Sequence, residues 1–127
     1  MKIHVGSFTL AAKSKLPKVA ISNSAPTWFK GPKLVAFVPS WWAVREFKAG
    51  KLTWDEFEFE YRSLLAGRAK AAGYSSFREW LAVVLQAAAK RVNSDEVVLC
   101  CWEKDPTYCH RSIIWEFIPE DMRGKLL

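Results

Sequence analysis

Three chemically versatile side chains stand next to one another near the end of the chain. Cys109, His110 and Arg111 supply a thiol, an imidazole and a guanidinium, and a thiol beside a cation can lose its proton at neutral pH. If the last helix begins at Pro106, with Asp105 as its N-cap, all three lie in its first two turns, where free backbone N–H groups favour anions and thiolates. This run predicts Cys109 and His110 as a nucleophile or an acid/base pair.

An ordinary strand-to-helix junction would explain the same residues without chemistry. At about 100° per residue, Cys109 and His110 share one helix face with the apolar residues that follow, and buried cysteines are usually inert. Arg111 points away from the centre of that face, so it requires an acidic partner such as Glu103 or Asp105, or a ligand anion. Both interpretations stay open.

Further cations are expected close to this helix start. Lys104 follows Glu103 directly, and Lys30 lies in a long loop that also contains Trp28. Several cations converging on a helix start indicate an oxyanion or phosphate cradle, and Trp28 could stack on a ring. The predicted ligand-binding residues are Cys101, Glu103, Lys104, Arg111, Ser22, Ser24, Trp28, Lys30, Ser40 and Trp41.

The cysteine pattern argues against a metal centre or a disulfide framework. The chain has three cysteines, and Cys100 and Cys101 are adjacent in a predicted strand, so their side chains point to opposite faces. Cys101 and Cys109 lack the short spacing of zinc knuckles. We predict reduced thiols, no metal and no cofactor. A redox pair of Cys101 with Cys109 is conceivable across the loop, but it lacks Cys-x-x-Cys spacing.

Strand and helix patterns alternate along the chain. Residues 2–7 and 19–21 read as short strands, and the continuous apolar run 96–102 is typical of a strand covered on both faces. Ser40 can cap a first long helix, and Thr53 with Glu56 and Ser76 with Glu79 open two more. The alternation predicts an α/β fold: a single three-layer domain over residues 1–127, with a small, largely parallel sheet and flanking helices.

Parallel sheets bind ligands beyond the carboxyl ends of their strands. In this chain those ends are residues 6–7, 22–24 and 102–104, and polar side chains that packing does not explain gather there. The sequence therefore predicts a ligand pocket formed by the loop after the second strand and by the start of the last helix.

Charge and hydropathy restrict the class of partner. The chain of 127 residues has a net charge of +6, and residues 1–51 carry nine basic side chains against the single acid Glu46. Such an excess favours an anionic partner, and one candidate is a phosphorylated or nucleotide-like small molecule. The alternative is nucleic acid, whose bases would stack on Trp28, Phe29 and Trp41. In that case the Cys-His-Arg run would only support the fold. No apolar run is long enough to cross a bilayer, so a cytoplasmic protein without membrane contact is expected.

Two motifs resemble a known family, the domain of unknown function family 488. The first is Cys101-Trp102-Glu103-Lys104 followed by Tyr108-Cys109-His110-Arg111; the second is the Ser-x-Ser-x-Pro-x-Trp-aromatic-Lys-Gly loop at residues 22–31, with Pro39-Ser40-Trp41 after it. The resemblance covers nearly the whole chain. It implies that the 22–31 loop and the Cys109 helix belong to one site, and it does not identify a substrate.

Overall fold

A four-stranded parallel sheet forms the centre of the molecule, in a computed structural model that describes residues 1–103 and 106–126. Its strands are β1 (Lys2–Ser7), β2 (Lys18–Ala20), β3 (Glu96–Cys101) and β4 (Arg123–Leu126). They lie in the order β2-β3-β1-β4, and every pairing is parallel. The predicted α/β class with a largely parallel sheet is confirmed.

In the described part of the chain five α-helices flank the sheet, and side-chain caps fix where the second, third and fourth of them begin. They are α1 (Phe8–Ala11), α2 (Trp41–Lys48), α3 (Trp54–Ala71), α4 (Phe77–Arg91) and α5 (His110–Phe117). Ser40 caps α2 and Ser76 caps α4 through their hydroxyl oxygens. Thr53 and Glu56 form the predicted reciprocal capping box on α3, because each side chain accepts the other's backbone N–H.

The two faces of the sheet are covered unequally. Side chains that alternate along the strands, such as Val97 and Leu99 on one face and Val98 and Cys100 on the other, belong to different cores. The larger core receives α2, α3, α4 and α5. The smaller core is closed by α1 and by the loop after β2, with Phe8 at its centre.

Two elements differ from the sequence prediction. The last helix does not begin at Pro106: a 3-10 turn spans Pro106–Tyr108, and α5 begins at His110 after Cys109, whose extended backbone (φ −132°, ψ 141°) separates the two. Asp105, the predicted cap, lies outside the described residues. The short strand β4 was not predicted, because its sequence, Arg-Gly-Lys-Leu, has no strand periodicity. Within the described ranges, no helix combines the length and apolar character needed to cross a membrane.

Candidate functional site

A pocket of about 130 Å³ opens where β2 and β3 end. Its walls include the serine turn (residues 22–24) and α2, which contributes Trp41 and Lys48. The floor carries Cys101, Cys109 and His110. This is the edge of the sheet at which parallel α/β folds place ligands, and it joins the two chain segments that the sequence analysis assigned to one site.

Hydrogen bonds hold the serine turn against β3. The Ser22 hydroxyl donates to the Ser24 carbonyl at 2.6 Å. The Trp102 indole Nε1 donates to the Ser24 carbonyl at 2.9 Å and contacts the Ser24 hydroxyl at 3.1 Å. Asn23 Nδ2 donates to the Pro39 carbonyl at 3.2 Å, which ties the turn to the segment leading into α2. The serine hydroxyls therefore shape the wall of the pocket through bonds within the protein.

Cys101 ends the central strand with its sulfur on the pocket floor. The side chain is 1% exposed, and Arg111 Nη1 donates a hydrogen bond to Cys101 Sγ at 3.1 Å. A guanidinium that donates to a sulfur favours the thiolate over the thiol. The sulfurs of Cys101 and Cys109 lie against one another, and Cys100 is free and buried. The Cα atoms of the pair are 7.8 Å apart, which is beyond the span of a disulfide, so the reduced thiols and the conceivable redox pair both remain predictions.

His110 is oriented by a backbone carbonyl at the end of β2. Its Nε2 lies 2.6 Å from the Ile21 carbonyl oxygen, which can only accept, so Nε2 carries a proton. Its Nδ1 lies 3.8 Å from Cys109 Sγ. Burial is the main cause that lowers the pKa of His110 to about 4; the hydrogen bond to Ile21 opposes this shift, and the charge of Arg111 adds to it. At neutral pH the ring is uncharged, with the Nδ1 lone pair towards the cysteines.

Arg111 is fully buried, which differs from the sequence prediction that it points away from the core-facing side of the helix. It lies behind Cys101, where Nη1 also donates to the backbone carbonyl of Glu103. The carboxylate of Glu103 pairs instead with Lys48 at 3.4 Å. The hydrogen bond of Arg111 to Glu103 is therefore to the main chain, and the hydrogen bond to the Cys101 sulfur connects the guanidinium to the pocket floor.

Several predicted ligand residues lie away from the pocket lining. Trp28 packs edge-on against Phe8, with ring centroids 6.3 Å apart, and Lys30 is exposed. The Ser40 hydroxyl accepts the backbone N–H of Ala43 at 3.1 Å as the α2 cap. Lys104 lies outside the described residues. Of the ten residues assigned to ligand binding, the lining contains Ser22, Ser24, Trp41, Cys101 and Glu103.

The pocket also contains residues that the sequence analysis did not select. Val44 and Lys48 line it from α2, Phe57 from α3, and Tyr108 from the 3-10 turn before α5. The spacing of Trp41, Val44 and Lys48, three and then four residues apart, places them on one helix face and could have identified them. Phe57 had no such signal, because its position depends on how α3 packs.

The lining is mainly apolar and aromatic, with reactive groups on its floor. Lys48 is the cationic side chain in the lining among the described residues, and it is engaged by Glu103. Three groups that can ligate a metal ion, on Cys101, Cys109 and His110, converge within 4.8 Å of one another. The arrangement can hold a small ring, present a thiolate to it, or bind a soft cation.

Comparison with known protein families gives a significant match. A family model described as the active DUF488-N3 subclade matches residues 27–122. The matched range includes the pocket residues on α2, α3, β3 and α5, and it begins just after the serine turn. No curated protein and no solved structure matches significantly.

Proposed function

The chain belongs to the DUF488 family, and from that premise we propose that it binds a nucleotide-like small molecule in the pocket, where Cys101 acts as the reactive thiolate. The observation that carries the proposal is the hydrogen bond of 3.1 Å from Arg111 Nη1 to Cys101 Sγ on the pocket floor.

Cys101 has the surroundings of a nucleophile, whereas Cys100 does not. A thiolate is stabilised by a neighbouring cation and destabilised by apolar burial. Cys101 receives the Arg111 N–H and faces the pocket, while Cys100 points into the smaller core, where burial raises its pKa to about 12. The predicted pair, Cys109 and His110, stands beside Cys101 as a second thiol and a proton acceptor at Nδ1. Both sulfurs act only in the reduced state.

The size and lining of the pocket favour a flat ring. A cavity of about 150 Å³ holds one benzene molecule, so the volume of about 130 Å³ accommodates one ring, with the rest of the ligand at the mouth. Trp41 on α2 and Trp102 after β3 are 63% and 45% exposed and offer stacking surfaces at that mouth. Lys48, which also lines the pocket, can hold one anionic group by leaving the carboxylate of Glu103, its partner at 3.4 Å. These features support a compound with a ring and a single phosphate.

Neighbouring tryptophans on α2 provide a matched test of ligand binding. Trp41 lines the pocket and Trp42 does not, although both are exposed. The reduced, chelator-treated chain is mixed with each nucleoside monophosphate, and the melting temperature and the rate of Cys101 alkylation by iodoacetamide are measured. We expect at least one nucleotide to raise the melting temperature and slow alkylation, with stabilisation of about 2.7 kcal/mol at a hundred times its Kd.

The variants decide whether the pocket is responsible. Trp41→Ala should abolish both nucleotide effects, and Trp42→Ala should leave them unchanged. The proposal fails if no nucleotide alters the melting temperature or the alkylation rate. It also fails if both variants lose the effects equally, because binding would then not involve the pocket.

A second candidate function, binding of single-stranded nucleic acid, is supported by exposed aromatic rings. Trp28 is 46% exposed and lies beside Phe8, which also packs against Trp102 with ring centroids 5.2 Å apart. Bases can stack on such rings without sequence preference. Affinity for an oligonucleotide should then fall steeply with salt and with Trp28→Ala. A binding signal that salt does not change would contradict this candidate.

A further inference from the structure

We propose that the reduced chain binds one soft divalent cation, with Zn²⁺ as the representative ion, through Cys101 Sγ, Cys109 Sγ and His110 Nδ1. The ligand atoms of these residues lie within 4.8 Å of one another, and all three side chains are buried. Two thiolates and one imidazole form a donor set that proteins use for zinc. The proposal is independent of the nucleotide-like ligand.

The imidazole is already oriented as a metal ligand. A ligating histidine usually donates its other ring N–H to a carbonyl or carboxylate, which fixes the tautomer and directs the lone pair. His110 Nε2 lies 2.6 Å from the Ile21 carbonyl, and Nδ1 faces Cys109 Sγ at 3.8 Å. The ring also packs edge-on against Tyr61, with centroids 5.4 Å apart, which holds its plane. No rotation of the ring is needed for Nδ1 to reach an ion between the cysteines.

The cysteines come from two elements that the fold holds side by side. Cys101 ends β3 and Cys109 precedes α5, and their Cα atoms are 7.8 Å apart. At that separation both side chains can reach an ion placed between them. In the sequence, the eight-residue spacing of the two cysteines argued against a metal site. It does not prevent metal binding, because the fold brings both sulfurs to one point. Arg111 donates to Cys101 Sγ and so supplies the outer hydrogen bond that metal thiolates commonly have.

The charge balance and the open side of the site fit this ion. The cation replaces the protons of the two thiols, so the site gains no net charge on binding. Three protein ligands leave a fourth tetrahedral position. The pocket adjoins all three residues, so that position faces the space beside the serine turn and Trp41. Water or a ligand atom can complete the coordination there.

Cobalt provides the direct test. The chain is reduced with a phosphine, freed of the reductant without oxygen, and titrated with Co²⁺. We expect the titration to saturate at one equivalent of Co²⁺. The spectrum should show sulfur-to-cobalt charge-transfer absorption in the near ultraviolet and the visible bands of a tetrahedral ion. Zn²⁺ should displace Co²⁺ and remove both absorptions. The chain that carries both Cys101→Ser and Cys109→Ser should give neither band. Absence of the bands from the reduced chain would overturn the proposal.

Variants separate this site from adventitious binding. Cys101→Ser and Cys109→Ser should each weaken Co²⁺ binding by more than the roughly 10- to 100-fold that loss of an outer hydrogen bond costs, while Cys100→Ser should not change it. His110→Asn should shift the visible bands. If circular dichroism shows that a variant is unfolded, a measurement on the unmodified chain takes its place. There, bound Zn²⁺ should protect both cysteines from alkylation. Unchanged spectra in Cys109→Ser, or a lack of Zn²⁺ protection, would refute the site. The nucleotide test contains a chelator, so the two proposals fail separately.

Discussion

Replacement of Arg111 by methionine tests the link between the buried cation and the Cys101 thiolate. The substitution removes the hydrogen bond of 3.1 Å to Cys101 Sγ while filling a similar volume. Removal of one partner from a buried charged contact lowers stability, and here the Glu103 carbonyl also loses a donor. In the variant molecules that stay folded, the Cys101 thiol should be less reactive.

The expected magnitude follows from one hydrogen bond to a charged group. Such a bond contributes about 1.5–3 kcal/mol, which changes the thiolate population roughly 10- to 150-fold at about 1.4 kcal/mol per factor of ten. A more basic thiolate is also intrinsically more nucleophilic. On a logarithmic scale, this effect cancels nearly half of the fall in rate that the smaller thiolate population causes. The alkylation rate of Cys101 should therefore fall about 4- to 20-fold at a pH where the rate still rises with pH.

The assay is carried out in a chain with Cys100→Ser and Cys109→Ser, so that Cys101 is the remaining thiol. The pH profile of iodoacetamide labelling is followed by mass spectrometry, with circular dichroism to verify folding. Arg123→Met is the matched control, because Arg123 donates to the carbonyls of Trp115 and Glu116 at the far end of α5. If the Arg111→Met profile coincides with that of the parent or of the control, Arg111 does not activate Cys101.

Two further results are expected. In the native, reduced chain, Cys100 should resist iodoacetamide at pH 8 and react only on unfolding, because burial raises its pKa to about 12 and keeps the thiol protonated; labelling of Cys100 at the rate of Cys101 would contradict this. Tyr61→Phe should lower the free energy of unfolding in urea by about 1–3 kcal/mol, since the Tyr61 hydroxyl donates to the buried Phe37 carbonyl at 2.6 Å. A midpoint equal to that of the parent chain would show that this bond contributes nothing.

Local patterns in the sequence were enough to predict most of the fold. The apolar run of β3 has to be buried on both faces, and the Thr53 and Glu56 spacing satisfies the free N–H groups of a helix start, so both features appear in the residue order itself. The sequence also predicted that the serine turn and the last helix meet, because parallel strands bring their carboxyl ends to one edge of the sheet.

Tertiary structure alone decided the chemistry of the pocket floor. Whether Arg111 turns outward or lies behind Cys101 depends on where α5 begins, and the 3-10 turn moved that start from Pro106 to His110. The meeting of Cys101 with Cys109 and the bond from His110 to the Ile21 carbonyl join residues from different elements. Residue order specifies which side chains are available. The distances between elements are set by the packing of the whole core, and helical or strand periodicity contains no information about that packing.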